Sequence, residues 1–267
     1  MIAEADDFLK ECEALDRLLA PLGDGDYARA TQFKGWTVDD VMAHLHSGDL
    51  SALLTLTDPD AYAESQAARA AAVDAGQSRL AFQRDSVGGL TGTALRDSWR
   101  ASFRETAAAY RTADPKRRVK WVGPDMSARS SITARLMETW AHSQALYDLL
   151  GVERQDDDRI REIAHLGAIT FGWTFANRGE QPPGPPPLIR LHAPSGAIWE
   201  WNAEKAPAGE RVEGPATAFC QVVAQTRNIA DVDLKVEGPV ATAWMAKAQC
   251  FAGAPNDPPP PGTRFKL

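Results

Sequence analysis

Seven residues, Gln181-Pro182-Pro183-Gly184-Pro185-Pro186-Pro187, constrain this chain more than any other stretch. Proline lacks the amide proton that a helix interior or a central strand needs, so neither can run through them. Apolar residues recur at helical spacing before the prolines and alternate as in strands after them. The sequence therefore predicts an α+β protein. Residues 1–180 form an N-terminal helical bundle, 181–187 a linker, 188–254 a smaller C-terminal α/β domain, and 255–267 a Pro-rich, mobile tail. A chain of 267 residues is long enough to bury a core in each part.

Phe8, Cys12, Leu15, Leu18 and Leu19 share one face of a helix over residues 1–20. Thr37 stands as N-cap of a second helix, with Asp39 and Asp40 in the first turn, where the helix dipole favours negative charge. That helix runs to Thr55. An Ala-rich helix follows over 61–84, and another over 94–112. Trp121 to Pro124 form a loop. A helix over 128–150 ends at Gly151, where a C′ glycine belongs, and a last one covers 157–176. Beyond the linker, Leu188–His192 and Ala197–Trp201 read as strands joined by the turn Pro194-Ser195-Gly196. Val212-Glu213-Gly214-Pro215-Ala216 recurs as Val236-Glu237-Gly238-Pro239-Val240. Each copy precedes a helical run, at 217–225 and at 241–251.

The net charge of −7 argues against a nucleic-acid partner, because the densest basic run is only Lys116-Arg117-Arg118. Residues 1–13 are acidic and amphipathic, unlike a signal peptide, and no apolar run is long enough to span a bilayer. No membrane partner is expected. Cys12, Cys220 and Cys250 are odd in number and scattered, which suits neither a disulfide framework nor a zinc knuckle. The expected compartment is reducing cytoplasm.

Chemistry-bearing residues concentrate on two helices. Glu138 and His142 stand four apart, one turn along a single stripe, a spacing that suits two ligands to one cation. A third ligand has to come from elsewhere. In the second helix Val38, Val41, Met42, Leu45, Ala52 and Leu53 make an apolar arc, with His44 and His46 on its opposite flanks. Periodicity does not choose between these two histidines. Asp49 falls near the centre of the arc, where a carboxylate needs a partner. Two imidazoles and one carboxylate leave coordination positions open, as in catalytic sites. Zinc is the first choice of metal, with Fe, Ni, Co or Mn also compatible.

The stretch Gly35-Trp36-Thr37-Val38-Asp39-Asp40-Val41-Met42-Ala43-His44-Leu45 resembles the opening signature of the mycothiol-dependent maleylpyruvate isomerase N-terminal domain, in the wider DinB-like group. The resemblance covers roughly residues 1–180 and implies a DinB-like metal-binding bundle. It implies that His44, not His46, is a metal ligand, and that Glu138 and His142 are the others. Past the linker, Leu191 to Gly196, Thr226 to Asp231, Glu237-Gly238-Pro239 and Ala248 to Gly253 resemble the C-terminal part of an actinobacterial branch of metal-binding proteins.

The resemblance also implies a chemistry. A small thiol such as mycothiol, deprotonated beside the metal, adds to an activated double bond of a small organic acid. Bond rotation and loss of the thiol complete a cis–trans isomerisation; stopping after addition gives thiol-S-transfer. Asp49 would orient a ligand histidine, and Arg227 would hold a substrate carboxylate. Arg84 is a second cation of this kind, read as a surface residue. The thiol is expected to be a small molecule, with Cys12 a small buried hydrophobe. The alternative is a non-catalytic metal-binding scaffold or regulatory protein.

Overall fold

Thr37 starts the helix around which the first half of the chain packs. Its hydroxyl accepts from the Asp40 amide at 3.1 Å, and Asp40 Oδ2 accepts from the Thr37 amide at 2.9 Å. This reciprocal cap satisfies two amides that a helix start leaves unpaired. In this computed structural model, which describes residues 1–121, 123 and 125–267, the chain forms two compact units, Met1–Leu149 and Leu150–Leu267. Val122 and Pro124, in the loop expected at 121–124, lie outside the described residues.

The first unit contains α1 (Glu4–Leu19), α2 (Val38–Thr57), α3 (Pro59–Asp74), α4 (Arg79–Ser86), α5 (Gly92–Thr112) and α6 (Ala128–Leu149). Both α1 and α2 pack against α5 and α6. Phe8, Leu15, Leu45, Trp99, Phe103, Leu136 and Trp140 are fully buried between them. Each such side chain contributes roughly 1.5–3 kcal/mol relative to exposure, which holds the helices in register. The helix expected over 61–84 is two. Gly76, at φ 87°, closes α3, and Ser78 Oγ accepts from the Ala81 amide at 3.1 Å to start α4. A short antiparallel ribbon, β1 (Arg118–Val119) with β2 (Met126–Ser127), was not expected in the bundle.

The second unit holds α7 (Arg161–Ile169), α8 (Phe171–Ala176), β3 (Leu188–His192), β4 (Ile198–Trp201), β5 (Arg211–Pro215), α9 (Ala216–Val223), β6 (Lys235–Glu237) and α10 (Pro239–Met245). The sheet order is β4-β3-β5-β6, with β3 parallel to β5 and the other pairs antiparallel. Each copy of the sequence repeat is a strand end feeding a helix. Glu210 caps the second helix, accepting from the Ala241 amide at 2.8 Å.

The structure differs from expectation at three further points. The compact units divide at Leu149/Leu150, not near residue 180, because α7 and α8 pack on the sheet unit's own helices. Gly167 lies so close to α9 that an added Cβ would sit 2.8 Å from both Phe219 and Val223. The Phe171 and Trp244 rings meet at 5.3 Å. The helix expected over 157–176 breaks at Thr170, whose hydroxyl bonds back to the Leu166 carbonyl at 2.7 Å. The Pro-rich tail is tied down. Gln225 Nε2 donates to the Asn256 carbonyl, and Asn228 Nδ2 to the Pro259 carbonyl, each at 2.8 Å.

Candidate metal centre

Neighbouring helices α2 and α6 bring three side chains to one point. His44 Nε2 lies 3.2 Å from Glu138 Oε2, and His142 Nε2 lies 3.3 Å from the same oxygen. One donor atom from each of the three residues falls within 4.8 Å of the others. A cation bound at about 2.0–2.2 Å holds its donors about 3–3.5 Å apart, which matches both His–Glu separations. The side chains of His44, Glu138 and His142 retain 19%, 27% and 15% exposure, so solutes can reach the cluster.

The turn before α2 walls one side. Lys34 and Gly35 take left-handed conformations, at φ 55° and 68°. The Trp36 amide donates to the Phe33 carbonyl at 2.9 Å, and the Trp36 carbonyl accepts from the Thr31 amide at 2.7 Å. The tightened turn stacks Trp36 on the His142 ring, 5.8 Å between centroids and 8° between planes. Trp36 also meets His44 at 5.5 Å, and Phe33 sets its ring against His142 at 5.0 Å.

Electrostatics prepare these groups for a cation. Burial alone would raise the Glu138 pKa, but hydrogen bonds from His142 and His44 outweigh it and hold the carboxyl well below its usual range. Burial, reinforced by nearby His44, pushes His142 down to about 4. At neutral pH the pair therefore stands as carboxylate and neutral imidazole, the forms that ligate metals. The donor set fits a divalent cation.

The other candidates are distributed differently. His46 is buried against α5, with Nε2 2.9 Å from Ser98 Oγ, and belongs to the core. Asp49 is fully buried and partnered: Trp99 Nε1 donates to it at 2.9 Å and Arg135 Nε at 2.8 Å. These contacts, and not a ligand histidine, supply the partner that its buried carboxylate needs. Arg135 stands three residues before Glu138 on α6, and its guanidinium occupies the carboxylate first. Gly48 makes room for it, since a Cβ there would lie 2.5 Å from Arg135 Nη1. Arg84 is half-exposed and pairs with Asp40. Arg227 belongs to the second unit, where Nη1 donates to the Thr226 carbonyl at 3.0 Å. Cys12, Cys220 and Cys250 are buried free thiols, and burial pushes Cys12 and Cys220 well above the usual thiol pKa.

Sequence reasoning missed Gln83. Its amide lies against His44 Nδ1, with Nε2 at 3.1 Å and Oε1 at 3.3 Å. No spacing pattern marks this glutamine in an Ala-rich stretch. Arg135 left a fainter signal: a glycine inside α2 invites close approach by some neighbour.

Fold and site together define a class: helical-bundle proteins with a two-histidine, one-carboxylate cluster between adjacent helices. More particularly, the chain belongs to the family of the mycothiol maleylpyruvate isomerase N-terminal domain, whose model matches residues 8–147. It is 38% identical over 253 residues to an uncharacterized protein of Mycobacterium tuberculosis strain H37Rv, covering 94% of this chain and 95% of that one. The counterpart from strain CDC 1551 gives the same figures. The crystal structure of the mycothiol-dependent maleylpyruvate isomerase aligns with a TM-score of 0.54 at 16% identity, over 84% of this chain and 88% of that one. A histidine-to-alanine mutant of that enzyme aligns at 0.53. At this identity the likeness establishes the fold. Among the described residues, no helix is long and apolar enough to cross a membrane.

Proposed function

We propose that this protein is a metal-dependent enzyme that uses a small thiol of the mycothiol kind to isomerise a small organic acid, or to transfer the thiol to an electrophile. The observation that carries this reading is the convergence of His44, Glu138 and His142 in a chain of this family. A divalent cation held by these residues would supply a Lewis acid that lowers the pKa of a thiol brought to it.

The chain's own residues prepare that chemistry. Glu138 supplies a fixed negative charge shared by both histidines. Trp36 and Phe33 pack on the imidazoles and exclude water from that side. The Asp49–Arg135 pair ties α2 to α6, so the two ligand-bearing helices keep their spacing. Arg227 is the residue proposed to hold a substrate carboxylate.

Elemental analysis of the purified protein, followed by mycothiol titration of metal-loaded and metal-free samples, tests the reading. The expected result is one divalent ion per chain, lost in His142→Ala, and thiol binding that requires it. Thiol binding indifferent to the metal, or full metal content in His142→Ala, would overturn the reading. A metal-bound protein with no thiol affinity would leave a structural or sensing scaffold as its replacement.

A further inference from the structure

The two candidate ligand histidines are supported by different means. The outer nitrogen of His142, Nδ1, is buried and has no hydrogen-bond partner among the described residues; ring packing by Trp36 and Phe33 holds that imidazole. The outer nitrogen of His44 faces both polar atoms of the Gln83 amide, at 3.1 and 3.3 Å. Gln83 is carried by α4, an element with no fully buried side chain. Polar contacts join α4 to α2: Gln83 to His44, Arg84 to Asp40, and Ser86 Oγ to Ser47 Oγ at 3.0 Å. Positions 40, 44 and 47 share one face of α2.

We propose that Gln83 is a positioning residue that serves both tautomers of His44, and through it couples the docking of α4 to occupancy of the metal centre. When His44 Nε2 carries the proton, it donates to Glu138 Oε2, 3.2 Å away. Nδ1 is then an acceptor and takes a proton from the Gln83 amide nitrogen. When Nε2 offers its lone pair to a cation, the proton sits on Nδ1 and donates to Gln83 Oε1. The amide provides both a donor and an acceptor at this spot; a carboxylate provides the acceptor alone, and an aliphatic side chain neither. An outer-nitrogen acceptor fixes a ligand histidine's tautomer and raises its basicity. Because α4 has no fully buried side chain, it belongs to the easily opened part of the fold. Linkage is reciprocal: an ion that strengthens the His44–Gln83 bond strengthens the seating of α4, and the seated α4 strengthens ion binding.

The inference rests on the metal reading and is tested so that the two can fail separately. Zn(II) affinity is measured by chelator competition for the wild type, Gln83→Leu and Gln83→Glu. Hydrogen exchange over residues 79–86 is followed with and without Zn(II), and nitrogen NMR reports which His44 nitrogen carries the proton. Gln83→Leu is expected to bind Zn(II) roughly 10–100-fold more weakly, while the metal-free variant still unfolds cooperatively on heating. Gln83→Glu, which keeps an acceptor, should stay within a few-fold of wild type. Zn(II) should slow exchange in α4 of the wild type but not of Gln83→Leu, and should place the His44 proton on Nδ1. Wild-type affinity in Gln83→Leu, equal weakening in Gln83→Glu, or equal protection of α4 in wild type and Gln83→Leu would overturn the inference alone. A wild-type protein that binds no divalent ion would overturn the metal reading, and this inference with it.

Discussion

Replacing Asp49 with Ala is expected to destabilise the protein by about 3–5 kcal/mol, the range for breaking a buried ion pair by removing one partner. The Arg135 side chain is only 11% exposed and Asp49 is fully buried, so solvent cannot replace the lost carboxylate. Burial alone would lower the Arg135 pKa, but Asp49 and Glu138 hold it above the usual value, so the guanidinium stays charged. Without Asp49 it retains the Leu45 carbonyl at 3.2 Å as a neutral acceptor. Trp99 Nε1 also loses its acceptor, at a cost of about 1–3 kcal/mol for a buried donor, part of the same total. At 1.4 kcal/mol per tenfold, the folding equilibrium shifts by roughly two to four orders of magnitude. Urea unfolding of metal-free protein, followed by far-UV circular dichroism, measures the loss. A companion variant carrying Asp49→Leu with Arg135→Met removes both charges and should recover most of the stability, because apolar replacement of a whole buried pair is close to neutral. A loss below about 1 kcal/mol, the level of a surface ion pair, would refute the argument. So would a double variant as unstable as the two single losses added together.

His46→Ala should keep its full metal content by elemental analysis, since that ring bonds Ser98 in the core; loss of the ion without unfolding would remove this assignment. Burial holds His46 below its ordinary pKa of 6.5 and His142 down at about 4, so the unfolded chain takes up these protons at higher pH than the folded one. Metal-free protein should therefore lose stability as pH falls from about 6.5 toward 4, and His46→Gln should flatten part of that slope in urea midpoints measured across pH. A variant with all three cysteines replaced by Ala should bind a small thiol with unchanged, metal-dependent affinity, because the native thiols are buried; weaker binding in a folded variant would point to a protein thiol. Arg227→Gln is expected to raise KM for an acidic substrate more than it lowers kcat, and steady-state kinetics with unchanged KM would remove Arg227 from the substrate site.

Local chemistry made much of this protein legible from its sequence. Caps and turn residues act within one helical turn, so Thr37 with Asp40 and Gly151 after α6 announce helix ends wherever the helix packs. The spacing of Glu138 and His142 is equally local, which is why the pair could be read before any partner was known. The prolines at 181–187 forbid helix and strand locally, but they do not decide which neighbours a helix packs on. That choice fell to apolar surfaces: α7 and α8 joined Phe219, Val223 and Trp244, and moved the division of the chain to Leu149/Leu150. The facing of the two histidines is another tertiary outcome. The arc on α2 left His44 and His46 equivalent, and packing turned His44 toward Glu138, 94 residues away, and His46 toward Ser98. The partner of Asp49 and the contact of Gln83, 39 residues from His44, have the same origin. A hydrogen bond across that separation depends on how whole helices dock, and no periodicity within one segment encodes it.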